Sequence, residues 1–176
     1  MASPSPTEAP IAAPAAADAT ASPPAPYGEP PRIRFVGVGV NRLSSGRCRA
    51  TVTLQRIDGE VVHGSADVEA SAAGDLRGPA AATVEALHRA THSGHRFTLL
   101  GVKSVRAFDR QVVLVQIGFV AGDRPGQAPV ALVGAAFADA DLMRATVLAV
   151  LNATNRVLWT PQGAPRGAAP EAPGAA

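Results

Sequence analysis

The feature that most constrains the fold of this chain is an internal repeat. Residues 83–91 (TVEALHRAT) are echoed 63 positions later by residues 146–154 (TVLAVLNAT). Other matching pairs are Val36-Gly37-Val38 with Leu100-Gly101-Val102, Arg42 with Arg106, and Gly64-Ser65-Ala66 with Gly134-Ala135-Ala136. A period of about 64 residues is too long for a solenoid and suits one duplicated supersecondary unit. We therefore predict two units about a pseudo-twofold axis, with a shared interface where a ligand or a second subunit can bind.

The two ends of the chain differ in composition from its middle. The chain has 176 residues, and residues 1–30 and 160–176 are rich in Ala and Pro with few large apolar side chains. Such segments bury too little apolar surface to offset the entropy lost on ordering. We therefore expect disordered tails at 1–30 and 160–176. The remaining residues, 31–159, are enough for one domain with a hydrophobic core.

Charge and cysteine content bound the partners and the compartment. Fifteen of the 16 Lys and Arg residues lie in the folded middle, but they are neither clustered nor interleaved with aromatic residues. This pattern does not favour a nucleic-acid partner. The single cysteine, Cys48, excludes an internal disulfide and fits a reducing cytoplasm. We expect a cytoplasmic protein without a membrane partner, because neither a secretion signal nor an apolar run of about 18 residues is present.

Hydrophobic periodicity predicts three strands and a helix in the first unit. Residues 33–40 and 48–57 alternate between apolar and polar side chains, the period of a half-buried strand. Asp58-Gly59 predicts a hairpin turn into a third strand over residues 60–69. Residues 80–91 have helical periodicity, with Pro79 near the predicted start of the helix.

The second unit repeats this order. Strands are predicted over residues 97–107, 111–120 and 128–137, and a closing helix is capped by Asp139 or Asp141 and runs to about Leu158. The expected fold class is α+β, with the order βββα-βββα, antiparallel strands and helices packed on one face.

Two apolar segments predict contacts beyond one chain. Residues 112–117 are apolar on both faces of the strand, so helices are expected to cover one side and another partner the other. The last helix is apolar nearly all round, which is typical of a helix buried on more than one side. We predict a homodimer. The interface residues expected on the last helix are Leu142, Val147 and Leu151.

The residues of the closing helix also carry a family resemblance. Residues 141–146 (DLMRAT) and 149–156 (AVLNATNR) resemble the closing helix of the C-terminal regulatory domain of 2-isopropylmalate and citramalate synthases. Residues 104–107 (SVRA) resemble the strand opening that domain's second unit. Gly78-Pro79 with residues 86–90 (ALHRA) resembles its first helix. The resemblance covers residues 33–158 and implies two βββα units, in agreement with the repeat.

The resemblance implies a regulatory function. In those enzymes this domain dimerises and binds the feedback amino acid, leucine or isoleucine, between its units. The loop before the closing helix contributes to that site. The corresponding candidate ligand-binding residues here are Gly134, Ala138, Asp139 and Asp141. A catalytic barrel is not part of this chain, so we expect a non-enzymatic module that senses a small metabolite. The alternative is an adaptor that has lost its ligand and docks another protein.

Other reactive residues have simpler interpretations. His88, His92 and His95 cluster near a helix end, but no nearby Cys or carboxylate completes a metal site, and basic side chains are favourable at that end. Cys48 is expected in the core. We predict neither a metal nor a cofactor, because no phosphate-binding loop follows a strand.

Overall fold

The chain folds into two consecutive units of three strands and a helix. The computed structural model describes residues 33–56, 58–91, 94–107, 109–122, 126–139 and 141–158. The first unit comprises β1 (Arg34–Arg42), β2 (Arg47–Gln55), β3 (Val61–Glu69) and α1 (Ala72–Ala90). The second comprises β4 (Arg96–Ala107), β5 (Arg110–Val120), β6 (Val130–Phe137) and α2 (Leu142–Leu158). The predicted α+β class and the order βββα-βββα are confirmed. The predicted tails lie outside the described residues.

Each unit forms its own antiparallel sheet. Sheet A has the strand order β1-β2-β3 and sheet B the order β4-β5-β6. The predicted hairpin between β2 and β3 is present, with Gly59 at a φ of 87°, a conformation that glycine adopts without steric cost. The duplication extends to irregularities of the backbone. The pairing register shifts between Phe35 and Gly37 in β1 and between Leu99 and Gly101 in β4, at positions 64 residues apart.

A glycine in the third strand of each sheet fixes the position of the helix. A Cβ atom on Gly64 would lie 2.0 Å from the Ala82 carbonyl oxygen, and one on Gly134 would lie 2.0 Å from that of Ala149. The helix backbone therefore rests directly on the strand, where only glycine leaves room. Ala86 and Ala153 occupy the next turn of the respective helices in the same contact.

These contacts correct the helix register that the sequence repeat suggested. They equate Ala82 with Ala149, a separation of 67 residues, whereas the echoed segments are 63 residues apart. The difference is four residues, about one helical turn, which keeps a side chain on nearly the same face. The echo therefore identified the correct helices but placed their equivalent residues one turn apart.

The first helix begins eight residues, about two turns, earlier than predicted. The sequence predicts its start at residue 80, but α1 starts at Ala72 and includes Gly74, Gly78 and Pro79. Ser71 caps it by accepting a hydrogen bond from the Gly74 amide at 3.1 Å. Both glycines are buried: a Cβ on Gly74 would collide with the Glu69 carbonyl oxygen, and one on Gly78 would approach Val68 within 3.1 Å. Close packing of helix on strand explains these glycines, and it outweighs their low helix propensity.

Both helices contribute to one core and are covered on several sides. α1 packs on β2 and β3, on β4 of the other unit and on α2, while α2 packs on β5, β6, β1 and α1. This cover within the chain accounts for the nearly all-round apolar character of α2. Val147 and Leu151, two of the predicted dimer contacts, are 0% and 5% exposed in the single chain, and Leu142 is half-buried against the core. No helix of the described segments is long and apolar enough to cross a membrane.

The outer face of sheet A, opposite the helices, is largely polar. It presents Arg49, Thr51 and Thr53 of β2 beside His63 and Asp67 of β3. Arg49 donates two hydrogen bonds to the Asp67 carboxylate, at 2.6 and 2.8 Å. These hydrogen bonds lower the pKa of Asp67 below its ordinary value. Such a face needs no cover from a partner.

The glycine contact predicts a large asymmetry between substitutions. Gly134→Ala should lower the free energy of unfolding by more than about 2 kcal/mol, because the strand and α2 must separate to admit the methyl group. Gly101→Ala should change it by less than about 1 kcal/mol, since no atom lies within 4 Å of its Cβ position. Urea unfolding of both variants checks this, and equal effects would contradict the proposed packing.

The Arg49–Asp67 pair predicts a pH-dependent contribution to stability. Because the pKa of Asp67 is lower in the folded chain than in the unfolded one, the pair stabilises the fold above the ordinary aspartate pKa of about 3.9. That contribution disappears as the pH falls through the folded-state pKa. The stability difference between wild type and Asp67→Asn, measured by urea unfolding, should therefore shrink from pH 6 to pH 2. A difference that is constant over this range would show that the pairing does not stabilise the fold.

Candidate functional site

The outer face of sheet B, opposite the helices, is largely apolar, although Lys103 and Gln116 also lie on it. Its apolar side chains include those of Leu100, Val105, Val112, Leu114, Val133, Ala135 and Phe137. Leu100, Val133 and Phe137 are 51%, 69% and 48% exposed. Exposed apolar side chains gathered on one face are typical of interaction sites, whereas scattered ones are not.

The two-sided apolar strand predicted at residues 112–117 lies at the centre of this sheet. Val113, Val115 and Ile117 of β5 face the helices and belong to the core. Val112 and Leu114 point to the outer face, where no helix covers them. The prediction that helices cover one side of this strand is confirmed. The partner predicted for its other side stays a prediction.

An apolar cleft opens on the outer face of sheet B, beside the β4–β5 turn. Its volume is about 350 Å³. It is lined by Val105, Ala107, Val112, Leu114, Ala135, Ala136 and Phe137. The lining offers almost no polar group, so this cleft can accept a small aliphatic side chain but cannot orient one by hydrogen bonds.

A polar cleft lies at the same end of sheet B, but Ser104, Arg106 and Gln111 alternate with the side chains of the apolar cleft and point to the face that carries the helices. Its volume is about 390 Å³, and it is lined by Ser104, Val105, Arg106, Asp109 and Gln111. Val105 is shared with the apolar cleft. The Gln111 side chain donates a hydrogen bond to the Ser104 hydroxyl at 2.8 Å. Arg106 and Asp109 form no ion pair with any other described residue, so a cation and an anion both face this cleft without a partner.

The connection between β6 and α2 is fastened to this end of the sheet. The Ala138 amide donates to the Gln111 carbonyl at 2.8 Å. The Arg110 guanidinium forms an ion pair with Asp139, and its central carbon lies 4.1 Å from the centre of the Phe137 ring. Arg110 thus holds Phe137 in place over the apolar cleft by a cation–π contact.

The four predicted ligand-binding residues do not line either cleft. Gly134 is buried beneath α2, where its contact with the helix leaves no room for a ligand. Ala138 and Asp139 make the contacts to β5 just described. Asp141 caps α2, since its side chain accepts hydrogen bonds from the Met143 and Arg144 amides at 3.0 Å each. Of the two predicted capping residues, Asp139 and Asp141, the helix is therefore capped by Asp141.

Sequence reasoning did not assign a role to the polar groups of the clefts. Arg106 was noted as a match to Arg42, and both Ser104 and Arg106 belong to a segment of the family resemblance. Asp109 and Gln111 fell at a predicted turn and at a strand start. Their convergence depends on the β4–β5 pairing, in which Arg106 lies opposite Gln111. The one available signal was the return of an arginine at the equivalent strand position in both units.

The histidines form a structural cluster near the end of α1. His88 accepts a hydrogen bond from the Phe97 amide at 2.8 Å, and His95 accepts one from the Gly122 amide at 3.0 Å. Phe97 stacks on the His88 ring, and Phe119 contacts Phe97 at a tilt and the His95 ring edge-on. His92 lies outside the described residues. The described part of the chain holds no group of three or more His, Cys, Asp or Glu side chains suited to a metal ion.

No protein-family model matches this chain, and no curated protein matches it.

The assignment of Asp141 as a helix cap predicts its effect on stability. Asp141→Ala should lower the free energy of unfolding by about 1 kcal/mol, because two amides of the first turn of α2 lose their acceptor. Asp139→Ala should cost less than about 1 kcal/mol, since its ion pair with Arg110 is exposed. Thermal and urea unfolding of the two variants measure the difference. A larger loss from Asp139→Ala would assign the stabilising role to the Arg110 contact instead.

Proposed function

We propose that this chain is a non-enzymatic, homodimeric module that senses a small metabolite, of the type found as the regulatory domain of 2-isopropylmalate and citramalate synthases. The observation that carries the proposal is the polar cleft at one end of sheet B, in which Arg106 and Asp109 form no ion pair with another described residue. A cation and an anion in one cleft suit a small ligand that itself carries both charges.

The ligand class that best fits the two charges is an amino acid, and the family resemblance favours a branched-chain one. Arg106 is suited to the ligand's carboxylate, because a guanidinium binds a carboxylate through two parallel hydrogen bonds. Asp109 is suited to its ammonium group. This assignment moves the proposed site from the loop before α2 to the end of sheet B beside that loop.

The clefts also favour binding over catalysis. The Ser104 hydroxyl is hydrogen-bonded to the Gln111 amide, not to a base that would activate it. Arg106 and Asp109 serve as charge partners for a ligand and need no proton transfer. The module would therefore respond to a metabolite without transforming it.

An adaptor function is the second candidate, and a different observation favours it. The outer face of sheet B exposes Leu100 and Val133, whereas Arg106 and Gln111 point to the opposite face. A face of this kind buries apolar area when it meets another protein surface. In this case the apolar cleft would be part of a docking surface, and the chain would bind no free metabolite.

Calorimetric titration of the full chain with leucine, isoleucine and valine tests the sensing function. At least one should bind, and Arg106→Gln should weaken it by roughly 10- to 100-fold, the value of a charge-assisted hydrogen bond. Arg42→Gln is the matched control, because Arg42 occupies the equivalent position in the first unit and should leave the affinity unchanged. Absence of heat with all three amino acids at millimolar concentration would reject the sensing function and leave the adaptor.

A further inference from the structure

The two sheets protect their outer edges differently. In β3, the outward-facing Ser65 amide donates to the Glu85 carboxylate at 2.8 Å, and the outward-facing His63 carbonyl accepts a hydrogen bond from Arg89. Glu85 and Arg89 also form an ion pair with each other, one turn apart on α1. The helix thus caps the edge of β3 with a pair of charged side chains, and a row of capped groups cannot accept another strand.

The edge of β6 lacks most of this protection. The residue equivalent to Glu85 is Asn152, which donates to the Ala135 carbonyl at 3.0 Å. The residue equivalent to Arg89 is Arg156, which bonds no described residue. Within the described chain, no side chain bonds the amide of Ala135 or either outward-facing backbone group of Val133. These groups remain available to another strand.

The remaining edges of the described sheets carry other protection. β1 and β4 each contain a register irregularity, at residues 35–37 and 99–101, and such irregularities disrupt regular pairing. β3 carries Asp67 and Glu69, whereas β6 (VALVGAAF) contains no charged residue. β6 is therefore the described edge that combines free backbone groups, regular geometry and an apolar sequence.

We propose that two copies of this chain associate by antiparallel pairing of their β6 strands about a twofold axis near Val133. An antiparallel strand is complementary to itself, because a twofold axis brings each amide opposite a carbonyl of the other copy. Pairing joins the two B sheets into one six-stranded sheet and brings their apolar outer faces side by side. This inference rests on the homodimer of the proposed function and specifies its interface.

The edge is a better interface than the closing helix for a physical reason. Val147 and Leu151 of α2 are already buried within one chain. β6 can pair with little disruption, since no described side chain bonds the outward backbone groups of Val133 and this residue is 69% exposed. Only the hydrogen bond from Asn152 to Ala135 lies where a new strand would bind.

Transplanting the cap of β3 onto β6 tests the proposal. Asn152→Glu places a carboxylate one turn before Arg156, and it reproduces the Glu85–Arg89 arrangement over the edge of β6. Sedimentation velocity should show a dimer for the full wild-type chain and a monomer for this variant, with the dimer dissociation constant raised at least 100-fold. Val133→Pro should have the same effect by removing an outward-facing amide, a change that an edge strand tolerates. The far-ultraviolet circular dichroism of both variants should match that of wild type.

Cross-linking locates the axis independently. Val133→Cys should form a disulfide between copies under mild oxidation, because directly opposed residues of an antiparallel pair lie about 5 Å apart. His63→Cys, at the equivalent position of β3, is the matched control and should remain monomeric, while the native Cys48 is buried.

The possible outcomes separate this inference from the proposed function. A dimer that persists in both Asn152→Glu and Val133→Pro, without a disulfide at position 133, would overturn the β6 interface and leave a dimer formed elsewhere. A wild-type chain that is monomeric at 1 mM would overturn the interface and the homodimer together. Metabolite sensing is decided separately by the titration with amino acids.

Discussion

The contact between a strand glycine and the helix backbone is the constraint on which the rest of this structure depends. Gly64 and Gly134 bring each helix so close to its sheet that even a methyl group would collide with a carbonyl oxygen. This approach sets the helix register relative to the strand, and hence which side chains reach the strand edge. Glu85 and Asn152 reach the edge from equivalent positions because each glycine holds the helix in the same place.

The duplicated units share the same arrangement of three strands and a helix, but their surfaces differ. In the first, the outer face of the sheet is polar and its edge is capped by charged side chains of α1. In the second, the face is apolar, and the equivalent helix positions cap only one carbonyl of the edge. Since the arrangement of strands and helix is shared, these differences come from a few substitutions on the surface. The first unit is thereby suited to face solvent, and the second is the unit for which we propose a partner and a ligand.

The sequence predicted the elements that have a clear period, and it was less informative where packing overrides local preference. The strands and α2 were located by alternation and by the cap at Asp141. The start of α1 was misplaced because Gly74, Gly78 and Pro79 are typical of turns, and their role is close packing against a sheet that lies elsewhere in the sequence. The helix repeat was displaced by one turn for a related reason, since a four-residue shift preserves the apolar face.

The candidate site was the least predictable part. The polar cleft joins Arg106 and Gln111 through strand pairing, and neither residue has a distinctive motif around it. Whether side chains cap the outer edge of a strand also cannot be predicted from the sequence until the register of the neighbouring helix is known. Asn152 and Arg156 are recognised as the equivalents of Glu85 and Arg89 only when the two helices are aligned with a spacing of 67 residues. The glycine contacts give that spacing.

Hydrogen exchange at the backbone amides of β6 would test the central claim most directly, because it reports the pairing itself. The outward-facing amides of Val133 and Ala135 should exchange slowly at millimolar protein concentration and quickly at micromolar concentration, where a dimer dissociates. The Ser65 amide, capped by Glu85 within one chain, should exchange at the same rate at both concentrations. Equal exchange of Val133 and Ala135 at the two concentrations would contradict the account.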